Sequence, residues 1–288
     1  MILYVFLFVA LSASLLFLYM HKVALYQFQI NRHEIKLSKK IIKPLSILHL
    51  SDSHFTGPNP PVDRFFEQLS RQTYDLIVVT GDIIDCESGI SQAVKTLSRL
   101  KSRLGCFAVF GNHDYYDYQL KDACFHNFPG QSKPKKSNPA EQLKAALEGV
   151  GIVVLRNETR EISAEGTEIL IHGLDDPTTG RANIRKTLES YDARKVNLLL
   201  THSIDAFYDI GEDEIDLSFS GHSHGGQVRL PVIGPIATHT TMGRAYASGI
   251  LKVKGAVCSI SRGIGFGRVL PFRLLCPPEA IVLTVTGL

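Results

Sequence analysis

An α/β domain built on parallel strands, preceded by a membrane-spanning helix, is predicted by three features of this chain. From residue 45 onward, short apolar runs alternate with stretches of helical periodicity, the order of repeated βαβ units. Several of those apolar runs stop at a turn rich in Asp, Asn or His, as strands do at the ligand-binding edge of an open α/β sheet. The first twenty residues, MILYVFLFVALSASLLFLYM, carry no charge.

As a helix that opening run would reach roughly 30 Å, about one hydrocarbon core. A cleaved signal peptide would carry a basic start and a shorter apolar core, and this stretch has neither. Lys22, Arg32, Lys36, Lys39, Lys40 and Lys43 follow it, against the single acid Glu34. Positive charge on that side predicts a single-pass anchor over residues 1–21 in the inner membrane, with the main domain cytoplasmic. Residues 22–44 read as a basic connector without a legible fold, and 45–288 as the main domain.

The elements of that domain follow in order. LSILHLSD (45–52) is a buried strand ending in a polar turn. Pro60-Pro61 open a helix whose Val62, Phe65, Phe66 and Leu69 form one apolar stripe, a core-facing pattern. DLIVVTGD (75–82) is a second buried strand, followed by a helix from Gly89 to Leu100, and CFAVFGNHD (106–114) is a third strand. Residues 115–139 break the rhythm with aromatics, prolines and lysines and read as an insertion. A helix (140–148) and the strand GIVVLRN (151–157) restore it. Strands at 168–173, 196–202 and 216–221 come next, and the chain then turns β-rich, at 227–230, 247–253, 256–261 and 280–286.

Composition narrows the class. With 44% apolar and 20% charged residues, 288 residues can bury a sizeable core. A net charge of +3 gives no ground to expect a nucleic-acid partner. The five cysteines are odd in number and lack a CxxC pair, which fits reduced thiols better than a disulfide framework.

The strand ends carry the chemistry. They supply Asp52 and His54 in SDSH, Asp82 and Asp85 in TGDIID, and Asn112, His113 and Asp114 in GNHD; His202 follows in LLLTHS, and His222 and His224 in SGHSH. One Asp or Asn after a strand is an ordinary turn residue. Five apolar strands all ending this way point instead to a shared metal site. The set is too large for one tetrahedral zinc, which takes three or four ligands. It suits two ions, with imidazole favouring Zn, Fe or Mn and carboxylate favouring harder ions such as Mn. Such a pair shares a carboxylate and stabilises charge on a phosphoryl group. His49 reads as a core or supporting residue, and His21, His33, His126 and His239 have no motif around them. His172, Asp175 and Asp176 lie on a loop that could face the site.

The blocks D-x-H, G-D-x-x-D, G-N-H-D, a later H, and G-H-x-H resemble the calcineurin-like metallophosphoesterase superfamily, in order and spacing, over residues 45–286. The tail GHSHGGQVRLPVIGP with SRGIGFGRVLPFRLLCPPE is similar to a bacterial membrane-associated subgroup of YkuE and YaeI type. Chlamydial-type UDP-2,3-diacylglucosamine pyrophosphatases of lipid A synthesis also resemble that subgroup. The resemblance implies two packed mixed sheets flanked by helices, with Asp52, His54 and His224 on one ion. Asp82 would bridge, and Asn112, His202 and His222 would hold the other. It implies that His113 acts at the phosphoryl group, that Asp114 orients it, and that Asp85 supports the ligands from behind. Two divalent ions, Mn first with Fe and Zn as alternatives, are the implied cofactors. Where the family has Leu between the first Asp and His, this chain has Ser53, which leaves the ligands intact.

A lipid-linked or nucleotide-containing phosphate, with UDP-2,3-diacylglucosamine the leading case, is the expected substrate. The anchor and the insertion support it: Tyr115, Tyr116, Tyr118, Phe125 and Phe128 lie beside Lys133, Lys135 and Lys136, a mixture suited to acyl chains and anionic headgroups. Tyr115, Tyr116, Lys133, Lys135 and Lys136 are the candidate substrate contacts. A phosphatase or phosphodiesterase with a soluble or other phospholipid substrate is the alternative. A non-enzymatic scaffold is disfavoured, because every ligand position is filled.

Overall fold

The computed structural model describes residues 1–119, 136–212 and 214–288. Helix α1 (Ile2–Leu18) continues through further helical turns, and the run Ile2–Tyr26 is long and apolar enough to cross a membrane, with mean hydropathy 2.4 and no burial of its apolar window. The stretch Gln29–Lys36, within the basic connector, is strand β1, running parallel to the last strand of the chain from Gln29 opposite Glu279 to Lys36 opposite Thr286. Only Ile30 and Ile35 of its eight residues are apolar, and most of its side chains are exposed at a sheet edge, so no buried run announces it.

Two six-stranded mixed sheets form the body among the described residues. After β1 come β2 (Leu45–Leu50), β3 (Thr73–Tyr74), β4 (Leu76–Thr80), β5 (Lys101–Ser102), β6 (Cys106–Val109), β7 (Ile152–Val154), β8 (Glu158–Ala164) and β9 (Thr167–Gly173). The remainder are β10 (Val196–Leu200), β11 (Leu217–Ser220), β12 (Arg229–Leu230), β13 (Gly234–Pro235), β14 (Gly249–Val253), β15 (Ala256–Ile260) and β16 (Glu279–Thr286). The first sheet has the order β1-β16-β2-β4-β6-β7, and its β2, β4, β6 and β7 are mutually parallel. The second has the order β14-β15-β11-β10-β9-β8, with β15, β11, β10 and β9 parallel and antiparallel strands at its edges.

The alternation of a strand explains the layering. Ile47, Val78 and Val109 point inward to meet Ile171, Leu198, Leu200 and Phe219 of the second sheet. Their neighbours Leu48, Leu50, Ile77 and Val79 point outward, under helices α2 (Pro60–Leu69), α3 (Ile90–Leu97) and, past the short α4 (Asn112–Tyr115), α5 (Ala140–Glu148). The stripe of Val62, Phe65, Phe66 and Leu69 on α2 is buried there, as its spacing predicts. Because β2, β4, β6, β10 and β11 run parallel within their sheets, their C-terminal ends reach one rim, and the functional residues lie in the turns beyond it.

Candidate metal centre and active site

The turns at that rim are unusual in their backbone. Asp52, His54, Asp82, His222 and His224 all have φ between +46° and +68°, the left-handed region. Non-glycine residues enter it rarely, and Asp and His are among those that do so most readily. Backbone hydrogen bonds hold the coils in place: Asp52 N–H donates to Gly81 O at 3.0 Å, and His54 N–H to Asp82 O at 2.9 Å. His222 N–H donates to Asp52 Oδ1 at 3.0 Å, tying the second sheet's turn to the first sheet's.

The side chains converge. Ligand atoms of Asp52, His54, Asp82 and His224 lie within 4.8 Å of one another, and so do those of Asp82, His202 and His222. Asp82 belongs to both groups, the arrangement of a two-ion centre with one shared carboxylate. All but His222 are buried. His54 Nε2 faces His224 Nε2 at 3.1 Å, and His222 Nδ1 faces His202 Nε2 at 3.1 Å. Imidazole nitrogens that point at each other among carboxylates suit a cation between them. His202 Nδ1 donates to Thr80 O at 2.8 Å, which turns Nε2 toward Asp82 Oδ2, 3.3 Å away. Burial opposes a proton on this ring, but the carboxylates around it, Asp82 first, hold one there, and a metal ion at Nε2 would take that proton's place. Asn112 Oδ1 is buried without a hydrogen-bond partner, an unsatisfied acceptor that a divalent ion would satisfy. The donor set therefore fits two divalent ions.

The charges are interdependent. Burial pushes the Asp82 carboxyl up, but His202, His113 and His54 outweigh it and hold Asp82 well below the usual carboxylate range. Burial raises Asp52. His222 and His224 are driven well below the ordinary imidazole value by burial first, then by His202 and His54 respectively. They are thus neutral lone-pair donors, as metal ligation requires.

His113 lines the cavity beside the centre and its backbone N–H donates to Asp82 Oδ1 at 2.8 Å. Its partner corrects the sequence reading. Asp114 does not orient it: Asp114 Oδ1 accepts the N–H groups of Ile83 and Ile84 at 2.8 and 3.0 Å, and Oδ2 that of Gly111 at 2.9 Å. Successive residues of α4 are rotated by about 100°, so Asp114 turns into the protein when His113 faces out. Burial, and then the Asp82 charge, push the Asp114 carboxyl up to about 7. Asp85 takes the orienting place, with Oδ1 2.5 Å from His113 Nδ1 and 3.5 Å from His54 Nδ1. Its Oδ2 accepts from Arg268 N and Nε, both at 2.9 Å. Burial pushes Asp85 up, but the bonds from His113 and His54 prevail and hold it far below its ordinary value.

The expected substrate contacts take other places. Tyr115 is buried, with its hydroxyl donating to Asp175 Oδ1 at 2.6 Å and the Arg181 guanidinium 4.1 Å over its ring. The Tyr116 hydroxyl accepts from Arg181, and Lys136 pairs with Asp117. None of the three is among the residues lining the cavity, whereas Tyr118 is. Lys133, Lys135, Phe125 and Phe128 lie outside the described residues. His172 bonds Asn197 Oδ1 inside the second sheet, and Asp176 closes its own loop by accepting from Thr178 and Thr179. His239, which has no motif around it, lines the cavity with its ring 5.7 Å from that of His222. No signal in the sequence singles it out.

The cavity, about 460 Å³, has two characters. His54, Asp82, Asn112, His113, His222 and His224 line it from the candidate metal centre, and Val228, Ile236, Ala237, Val269, Leu270 and Phe272 add an apolar part to the lining.

Known proteins agree with this geometry. The model of the calcineurin-like phosphoesterase family matches residues 45–226. The chain is 31% identical over 250 residues to the metallophosphoesterase YkuE of Bacillus subtilis, an overlap of 85% of this chain and 78% of that one. It is 27% identical over 271 residues to the phosphodiesterase YaeI of Escherichia coli, covering 92% and 91% of the two chains. To the UDP-2,3-diacylglucosamine pyrophosphatase LpxG of Chlamydia muridarum it is 28% identical over 241 residues, 70% and 71% of the chains. Ligand-bearing turns gathered on one rim of two packed mixed sheets, together with a family match that takes in every one of them, place this chain in the calcineurin-like phosphoesterase family, as a metal-dependent hydrolase of phosphoric esters.

Proposed function

We propose that this chain is a membrane-anchored dinuclear phosphoesterase that hydrolyses a phosphodiester or pyrophosphate bond in a lipid-linked substrate. UDP-2,3-diacylglucosamine is the leading candidate, cleaved to UMP and the diacylated sugar phosphate lipid X, a step of lipid A biosynthesis. The observation that carries this reading is the mixed lining of the cavity, which joins the polar residues of the metal centre to a set of apolar side chains. Such a pocket matches a molecule with a charged diphosphate and an acyl part. A relative 28% identical to this chain bears the name of that pyrophosphatase. Run Ile2–Tyr26 would span the inner membrane, with the catalytic domain on the cytoplasmic side.

In this reading Asp52, His54 and His224 hold one ion, Asn112, His202 and His222 the other, and Asp82 both, with Mn²⁺ the expected metal. The ions, when bound, supply an activated water and neutralise phosphoryl charge. The chain's own residues do the rest. Asp85 fixes His113 through Nδ1, so that Nε2 can deliver a proton to the departing oxygen. Arg268 in turn fixes Asp85 from the opposite side.

The test is hydrolysis by the purified full chain in detergent with Mn²⁺, offering UDP-2,3-diacylglucosamine beside bis-p-nitrophenyl phosphate. Release of UMP, at a kcat/KM well above that for the soluble diester, is the expected result. Equal efficiency on both would replace the lipid reading with that of a phosphodiesterase for soluble esters.

A further inference from the structure

Two apolar residues of the cavity lining, Ile236 and Leu270, also belong to an unusual surface. Leu230, Val232, Ile233 and Ile236 on and beside the β12–β13 hairpin, with Leu270 and Leu275 next to it, are 37 to 107% exposed. We propose that this hairpin and the 270–275 segment form a second membrane contact, which seats the catalytic domain on the acyl region of the bilayer and opens the cavity toward it. The proposal rests on the reading of α1 as the bilayer anchor.

Three observations carry it. The first is continuity with that anchor. Arg273 N–H donates to Met20 O at 3.2 Å, and His21 Nδ1 lies 2.7 Å from Pro271 O, where the apolar helix ends. On its other side the same segment pairs with the base of the hairpin, through Arg229 N–H to Leu274 O and Leu274 N–H to Gln227 O, both at 2.9 Å. The segment is therefore stapled between the end of α1 and the hairpin. The second is the hairpin tip. Val232 is fully exposed with φ +67°, a conformation in which a β-branched residue is a genuine outlier. A turn tip in water selects Gly, Asn or Asp there, and an exposed valine followed by isoleucine suits an apolar surround. The third is the cavity wall itself: Ile236 and Leu270 line the cavity and are also about half exposed. An acyl chain could thus move from the bilayer to the site along apolar surface.

The chain contains no tryptophan, so one introduced indole reports one place. Full-length Val232→Trp and Ile233→Trp would be reconstituted in phosphatidylcholine–phosphatidylglycerol vesicles with and without brominated lipid. Leu11→Trp marks the anchor, and Arg194→Trp marks solvent just before β10, at the end of the sheet remote from the site. Blue-shifted emission that brominated lipid quenches at 232, 233 and 11, but not at 194, is the expected result. Position 11 quenched while 232 and 233 behave as 194 does would keep the anchor and overturn the docking face. Position 11 unquenched would overturn the anchor and the docking face with it. Blue-shifted but unquenched emission at 232 and 233 would mean contact with a second copy of the chain and would also refute the proposal. Two adjacent reporters guard against one substitution disturbing the strained turn.

Discussion

Gly111→Ala tests the centre through a single methyl group. Gly111 has φ −108°, which alanine adopts freely, so the change adds bulk without backbone strain. Its Cβ would lie 2.3 Å from Asp82 Oδ1, 2.7 Å from the Asp82 backbone nitrogen and 2.7 Å from His202 Cε1. Contacts under 3.0 Å are essentially never seen for a real Cβ, so the Asp82 carboxylate must retreat by about 0.7 Å. Metal ligand distances tolerate only about 0.2 Å, so a displacement of that size could not be absorbed at the carboxylate proposed to serve both ions. A misplacement of about 1 Å costs on the order of a hundredfold in rate, and we expect a loss of roughly that size. Metal content by mass spectrometry should fall below two ions per chain. The metal-free protein should melt at a lower temperature as well, because the Asp82 backbone must also give way, an overpacking cost of about 1–3 kcal/mol. Gly267→Ala is the matched control, because its Cβ would meet His113 Cε1 at 3.9 Å, an ordinary contact. Undiminished turnover with two ions per chain in Gly111→Ala would refute the assignment of Asp82 as the shared ligand.

Two further substitutions separate roles that the geometry assigns. Asp85→Asn keeps the shape but removes the charge beside His113 Nδ1, and should lower kcat by roughly a hundredfold, the scale of one acid–base group. The loss should be larger for an alkyl leaving group, which must be protonated, than for p-nitrophenolate; equal losses would sink the proton-delivery role. His49, fully buried between Ser259 and Thr80, is pushed down to about 3 from an ordinary 6.5 by burial. A base held neutral in the fold gives stability that is whole above pH 6.5 and is lost as pH falls toward 3. At pH 5 the loss is about 2 kcal/mol. Thermal melting of His49→Gln at pH 7 and pH 5 should show a smaller pH difference than the parent chain, and an unchanged difference would show that His49 does not set it.

The parts of the fold that announce themselves are those buried on both faces. LSILHL, LIVVT and CFAV are near-continuous apolar runs, and each ends where the polar residues begin. Strands β1 and β8 escape notice because they are sheet edges, where ETREISA can keep one face in water. The pairing of His113 escapes for a different reason. Sequence neighbours on a helical turn face different directions, so the adjacent Asp114 looks like the natural partner while Asp85, from the turn after β4, occupies the place. His239 reaches the cavity through a long excursion between β13 and β14, which no local pattern encodes.

The metal-binding spacing itself has a physical origin in the backbone. In D-x-H and H-x-H, both outer residues are left-handed, and the chain coils so tightly that side chains two residues apart approach one cluster. A residue in a sparsely populated region costs about 1–3 kcal/mol, so five of them would cost about as much as the whole net stability of an ordinary domain. Two features reduce that cost. Asp and His are types that tolerate the region, and the coils are laced together by hydrogen bonds from Asp52, His54 and His222 to the facing turns. The glycines beside them are fixed by the same crowding: a Cβ on Gly221 would lie 1.9 Å from Ser51 Oγ and 2.1 Å from Asp52 Oδ2. Gly, Asp and His therefore recur together at this rim because only the first fits between the coils, and the other two can both bend the chain and hold a cation.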